Sequence, residues 1–277
     1  MPAWRICREA SIESRFAAIR TGEKLPLFGL AHELGLLLDR WRLARSGEGQ
    51  IVTVIGEAGI DKSRAIAALQ EVIASEPKTR IHLQCSPHHN ESALYPLIRH
   101  LIRAARIAPA DLPGERIEKL RALVADRAAS DPAAIPLLAE LLSIADPPPH
   151  PLPLSPAQRK TATIALLVDE IVRLAEADPV LLVVEDAHWI DATTLELLTR
   201  LADGVGSARV LAIVTARPDF APPWQARPQG SLLTLGRLGR ADCAQMVAAV
   251  SAVHGLWRKP LPRSSPKPTA CRYSSRS

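Results

Sequence analysis

Apolar residues along this chain follow two different periods. Short β-branched runs without alternation occur at Ile51 to Ile55 (IVTVI), Val180 to Val184 (VLLVV) and within Arg209 to Pro218 (RVLAIVTARP). Such runs predict strands buried on both faces of a sheet. Arg80 to Cys85 (RIHLQC) and Ser231 to Leu235 (SLLTL) complete a set of five expected strands. Between them, apolar residues recur at helical spacing in Glu33 to Arg45, Ser63 to Ala74, Ala93 to Ile107, Gly114 to Arg127, Ala133 to Ser143, Ala157 to Ala177 and Ala192 to Asp203. Asp191 is the expected N-cap of the last of these. The proline-rich stretch Asp146 to Pro156 interrupts the pattern and excludes regular structure there. Strands alternating with helices imply an α/β fold, an open parallel sheet with helices on both faces. No internal repeat is present.

In such sheets ligands bind at the carboxyl ends of the strands. Three of those ends carry candidate chemistry. IVTVI runs into GEAGIDKS, Gly56 to Ser63, which matches the phosphate-loop pattern G-x-x-x-x-G-K-[ST] at Gly56, Lys62 and Ser63. Asp61 stands where the pattern has glycine. In such a loop the backbone N–H groups and the start of the following helix face phosphate, the lysine reaches the β- and γ-phosphates, and the hydroxyl ligates Mg²⁺. VLLVV ends in Glu185 and Asp186, an acidic pair suited to holding Mg²⁺ and polarising water. By register Glu185 takes the metal position and Asp186 the catalytic one. VLAIV ends in Thr215 and Arg217, a hydroxyl and a cation suited to sensing a γ-phosphate.

Charge refines this picture. The 277-residue chain is 47% hydrophobic and carries a formal charge of +5. Six basic residues and no acid lie between Trp257 and Ser277; the remainder holds 28 basic against 29 acidic residues. The near-neutral body argues against nucleic acid as a partner. No apolar run approaches the roughly 20 residues of a membrane helix, and no signal-peptide pattern opens the chain, so a cytoplasmic location without membrane contact is expected. The four cysteines (Cys7, Cys85, Cys243, Cys271) are scattered and are expected to be free thiols; adjacent His88 and His89 lack ligand spacing.

With these motifs in place the chain resembles the AAA-like P-loop ATPases of the STAND signalling class. More narrowly, it looks like the ATPase module that follows adenylate/guanylate cyclase domains in large bacterial regulators. The resemblance runs from about residue 9 to 255, through SRFAAIRTGEKLPLFGLAHELGLLLDRW, GEGQIVTVIGEAGIDKSR, QCSPHHNESALYPLI, LSPAQRK, VLLVVEDAHWID and VLAIVTARPDFAPPW. It implies a P-loop NTPase fold with strand order 5-1-4-3-2, ATP and Mg²⁺ as ligands, and a switch coupled to other signalling domains or proteins. Carried onto this chain, cofactor contacts fall on Gly56, Glu57, Ala58, Gly59, Ile60, Asp61, Lys62, Ser63 and Arg64. Leu27, Phe28 and Gly29 lie near the adenine. Ser63, Glu185 and Asp186 hold the metal, and Glu185, Asp186, Thr215 and Arg217 carry the catalytic and sensing roles.

The chain departs from that family at four places. Asp61 replaces the loop glycine, and Leu30-Ala31 replaces an Arg-Glu pair on the adenine side. The chain is expected to lack the cyclase domain and to carry only the start of the helical lid. The expected division is a linker remnant at 1–24, the ATPase-type domain at 25–238, the start of a lid at 239–256 and a basic tail at 257–277. Read one base out of frame, the tail becomes similar to the family's next segment (AEAAAALVAETDGMPLFVEE), so a frameshift after about Gly255 is its expected origin. An aspartate about 4 Å from phosphate repels it by roughly 4 kcal/mol at an effective dielectric of 20. Two to three decades of ATP affinity are therefore expected to be lost, and hydrolysis to be near zero. The alternatives are a non-catalytic interaction scaffold, a truncated remnant of a larger regulator and, less in keeping with the charge, an origin-recognition-like DNA-bound ATPase.

Overall fold

Five strands form one parallel sheet in the order β2-β3-β4-β1-β5, the order implied by the resemblance read from the opposite edge. The computed structural model describes residues 29–60, 62–144 (backbone only at 126–128), 152–236 and 239. The expectations for Leu27, Phe28, Asp61, Cys7, Cys243, Cys271, the linker, the lid from Arg240 onwards and the basic tail concern residues outside these.

The strands are β1 (Gln50–Ile55), β2 (Thr79–Gln84), β3 (Val180–Glu185), β4 (Val210–Ala216) and β5 (Gly230–Thr234). Every residue of β1, β3 and β4 is buried, as their uninterrupted apolar runs require. The edge strands β2 and β5 mix buried and exposed positions. Alternation of side chains sends the two faces into separate cores. Leu181, Val183, Val52 and Val54 pack with Leu37, Trp41, Ile66 and Leu69 of helices α1 (Ala31–Arg45) and α2 (Lys62–Val72). Val180, Leu182, Val184 and Ile51 pack on the other face, in a core shared with most of the remaining helices. These are α3 (Tyr95–Ala104), α4 (Pro113–Leu123), α5 (Ala125–Ser130), α6 (Ala134–Leu141), α7 (Pro156–Ala177) and α8 (Ala192–Gly204). Each fully buried Val, Leu or Ile contributes about 1.5–3 kcal/mol, so the central strands hold the sheet together.

Three boundaries differ from the sequence reading, each for a local reason. The helix expected over 114–127 is two, because Val124 leaves helical geometry (φ −116°, ψ 36°) while staying buried at 2% exposure. Helix α3 is shorter than expected at both ends. Leu94 and Arg106 take left-handed backbone (φ 56° and 55°), which ends a helix. Pro156 belongs to a helix rather than to the irregular stretch: it occupies the first turn of α7, behind a Ser155–Gln158 capping box.

The register aligns the strand ends. Ile55 pairs with Ala216 and with Thr234, and Gln84 pairs with Glu185. The carboxyl ends of β1, β4 and β3, which are neighbours in the sheet, therefore share one edge. This edge carries all three motifs.

Candidate functional site

The site begins where β1 gives way to α2. Gly56 N–H donates to the Ala216 carbonyl (3.3 Å), and Leu235 N–H donates to the Ile55 carbonyl (2.7 Å), so the loop leaves the sheet between β4 and the end of β5. A Cβ on Gly56 would sit 3.4 Å from Leu235, in ordinary contact. Gly59 has φ +82°, which glycine adopts without strain. Glu57, Ala58 and Gly59 are exposed; Ile60, Lys62, Ser63 and Arg64 are half-buried. The Lys62 ammonium donates to the Gly56 carbonyl (2.6 Å) and the Glu57 carbonyl (2.9 Å). The loop thus curls around its own lysine. Burial lowers the Lys62 pKa, opposed by the Asp186 and Glu57 charges and assisted by Arg217. Asp186 and Arg217 therefore both lie within electrostatic reach of Lys62, although the three come from different strand ends.

The acidic pair divides. Glu185, the last residue of β3, is 5% exposed, and strand alternation turns it to the α2 face. One of its carboxylate oxygens lies 3.6 Å from Nε2 of His82, itself 7% exposed. Asp186 leaves the strand with left-handed backbone (φ 59°, ψ 42°), a conformation Asp tolerates better than most residues. Its carboxylate accepts from Gln84 Nε2 at 3.3 Å and its N–H donates to Thr215 Oγ1 at 3.0 Å. The first residues past the acids form a short 3₁₀ turn, Ala187–Trp189. The exposed Arg217 places its guanidinium 5.3 Å from the Trp189 ring centroid, a cation–π distance.

Sequence reasoning located Gly56, Lys62, Ser63, Glu185, Asp186, Thr215 and Arg217, and the sheet brings them to one edge. Gly29, with φ 65°, is exposed just before α1. Gln84, His82, His188 and Trp189 were missed. Gln84 is the last residue of β2, so the strand-end rule already points to it. His188 and Trp189 follow the acids directly in EDAHW. His82 carried no local signal; only the β2–β3 pairing brings it to Glu185. Cys85 is buried and free, His89 stacks on Tyr95 at 3.6 Å, and no metal-binding cluster exists among the described residues. Among them, too, no helix is long and apolar enough to cross a membrane. A cleft of about 380 Å³ lined by Leu94, Leu137, Leu141, Arg159 and Lys160 lies away from the loop, between α3, α6 and α7.

These residues fit a nucleotide phosphate and a hard divalent cation. The loop supplies a glycine with left-handed geometry, a lysine and a helix start. Ser63, Glu185 and Asp186 supply hard oxygen ligands of the kind Mg²⁺ takes. Residues 26–214 match the family model described as an AAA ATPase domain. A protein of Rhizobium meliloti (strain 1021), called "Uncharacterized protein R02095", is 28% identical over 254 residues. That match takes in 91% of this chain and 24% of the relative, so the chain spans about a quarter of the relative's length. The fold, the loop at the end of β1 and the extent of the family match lead to one conclusion: this chain belongs to the AAA ATPase domain family, P-loop modules that bind nucleotide.

Proposed function

We propose that this chain is an ATP- and Mg²⁺-binding regulatory module of the STAND type, of the kind linked to cyclases, with hydrolysis weak or absent. The observation that carries the reading is the placement of Lys62 in the curl of the Gly56–Ile60 loop within reach of the Asp186 charge. When bound, Mg²⁺ supplies charge neutralisation at the phosphates. On the protein side, Lys62 exchanges its two loop carbonyls for phosphate oxygens. Ser63 and Glu185 hold the cation, and Asp186, set in its turn by Gln84 and Thr215, faces the terminal phosphate. Arg217, on the last of the three strand ends, adds a second cation.

A binding switch rather than a fast enzyme is the better reading, because Asp61 brings an acid to the loop beside that lysine. The coupling to other signalling domains rests on the resemblance. It is supported by the Rhizobium meliloti relative, most of whose length lies outside the matched region.

Calorimetry with Mg-ATP on the chain and on Asp61→Gly tests the reading. The variant is expected to bind 100- to 1,000-fold more tightly than the parent, following a repulsion of about 3–4 kcal/mol. Equal micromolar binding by both would remove the electrostatic argument, and no binding by either would remove the nucleotide reading.

A further inference from the structure

His188 holds two polar atoms with nothing to bond to. Both ring nitrogens, Nδ1 and Nε2, are shut off from water and lack a hydrogen-bond partner among the described residues. A neutral imidazole always presents one N–H donor and one lone-pair acceptor. Leaving such a group buried and unmet is costly, and native proteins retain one chiefly where an absent ligand, ion or water completes it.

The position of this ring identifies what completes it. His188 is the middle residue of the 3₁₀ turn that Asp186 starts. Its ring packs on Trp189 (centroids 4.2 Å apart, tilted 43°), and Trp189 carries Arg217 on its ring. The turn and this stack hold the imidazole in place. The charges that reach it are those of Asp186, Arg217, Asp219 and Lys62. Three of these four belong to the candidate site, and they come from the ends of β1, β3 and β4. The turn that Asp186 starts and the stack through Trp189 to Arg217 therefore place the ring beside the acidic end of the candidate site.

We propose that His188 is a nucleotide-contacting residue whose ring N–H donates to an oxygen of the terminal phosphate of a bound nucleoside triphosphate. The inference rests on the nucleotide reading above and deepens it. The β-phosphate and the groups before it belong to the loop backbone and Lys62. The acidic turn and Arg217 lie beyond them, where only a triphosphate reaches. His188 then separates ATP from ADP, because a diphosphate leaves its N–H unmet. This gives a regulatory module a means of reading its nucleotide state that needs no hydrolysis. A phosphate oxygen is an acceptor that the ring N–H can meet. Lys62 and Arg217 attract phosphate against the opposing charges of Asp186 and Asp219, and neither cation can accept the ring's proton.

Calorimetry with Mg-ATP and Mg-ADP, on the chain and on Asp61→Gly, with and without His188→Phe, tests this. Phenylalanine keeps a flat ring against Trp189 and removes both nitrogens; His188→Leu serves where the larger ring does not fit the turn. His188→Gln retains an N–H donor. A hydrogen bond to a charged group predicts ATP affinity about ten- to hundredfold weaker in the phenylalanine variant. ADP affinity should change less than about threefold, the glutamine variant should recover most of the ATP affinity, and the nucleotide-free phenylalanine variant should melt no lower than its parent. Loss of ATP and ADP affinity in equal measure, no loss of either, or a lower melting temperature with ATP affinity intact would each overturn the assignment and leave the nucleotide reading standing. Absence of binding in both the parent and Asp61→Gly would remove the nucleotide reading and this inference with it.

Discussion

The backbone N–H of Asp186 donates to the hydroxyl of Thr215, 3.0 Å away on the neighbouring strand. This bond ties the left-handed turn after β3 to the end of β4, and so sets where the acid, His188 and Trp189 stand relative to Arg217.

Thr215 is 2% exposed, and valine matches its shape without the hydroxyl. Thr215→Val strands the Asp186 N–H and should cost about 1–3 kcal/mol, whereas Thr215→Ser should cost under about 1 kcal/mol beyond the lost methyl. Urea unfolding of the two variants checks this. Equal destabilisation by both would show that the hydroxyl does not hold the turn.

Asp191 closes a second connection. Its carboxylate accepts from Thr193 N–H (3.0 Å), Thr194 N–H (2.9 Å) and Thr194 Oγ1 (2.5 Å) at the start of α8. It also accepts from Leu94 N–H (3.2 Å) at the left-handed entry to α3. At 4% exposure it caps one helix and anchors the loop before another. Asp191→Ala should cost about 2–4 kcal/mol, the loss of a cap together with buried donors left unmet. Asp191→Asn should recover about half. Denaturant midpoints of the two variants measure the difference, and a loss below about 1 kcal/mol for alanine would show that the anchoring bond contributes nothing.

His100, on α3, has its pKa lowered to about 4, chiefly by burial and then by the Arg103 and His82 charges. The unfolded chain takes up a proton first, at its ordinary value of 6.5. Stability from this group is therefore intact above pH 6.5, falls as pH drops from 6.5 to about 4, and changes no further below that. The full shift corresponds to about 3 kcal/mol. His100→Leu should flatten that part of the stability–pH curve, measured by urea unfolding between pH 4 and 7. An unchanged slope would exclude His100 as its source.

Cys85 has its thiol pushed up to about 12 by burial, and further by the Asp191 and Asp186 charges. Its thiolate fraction at pH 8 is then on the order of one in ten thousand. Native protein should leave Cys85 unmodified by iodoacetamide over an hour, while urea-unfolded protein should react fully; peptide mass spectrometry separates Cys85 from the other thiols. Rapid native labelling would mean that the β2–α3 loop opens readily.

Pattern alone carried the fold a long way. Three continuous β-branched runs are strands buried on both faces, and they can be nothing else in an α/β chain whose intervening segments keep helical spacing. The phosphate-loop residues were legible because that chemistry lives in a contiguous stretch, with backbone and side chains acting over a few neighbours. Asp191 was legible as a cap for the same reason. What the sequence could not determine is contact across strands. His82 meets Glu185, and Gln84 meets Asp186, because β2 pairs with β3 in one register; a slip of one residue would send both side chains to the opposite face. Asp191 reaching back to Leu94 likewise depends on two helix starts meeting over 97 positions of chain. His188, whose nitrogens are unmet in the fold, stood in plain view within EDAHW. Its unmet nitrogens become a signal only once packing has taken away the water that would otherwise bond to them, because desolvation belongs to the folded molecule and to no single stretch of sequence.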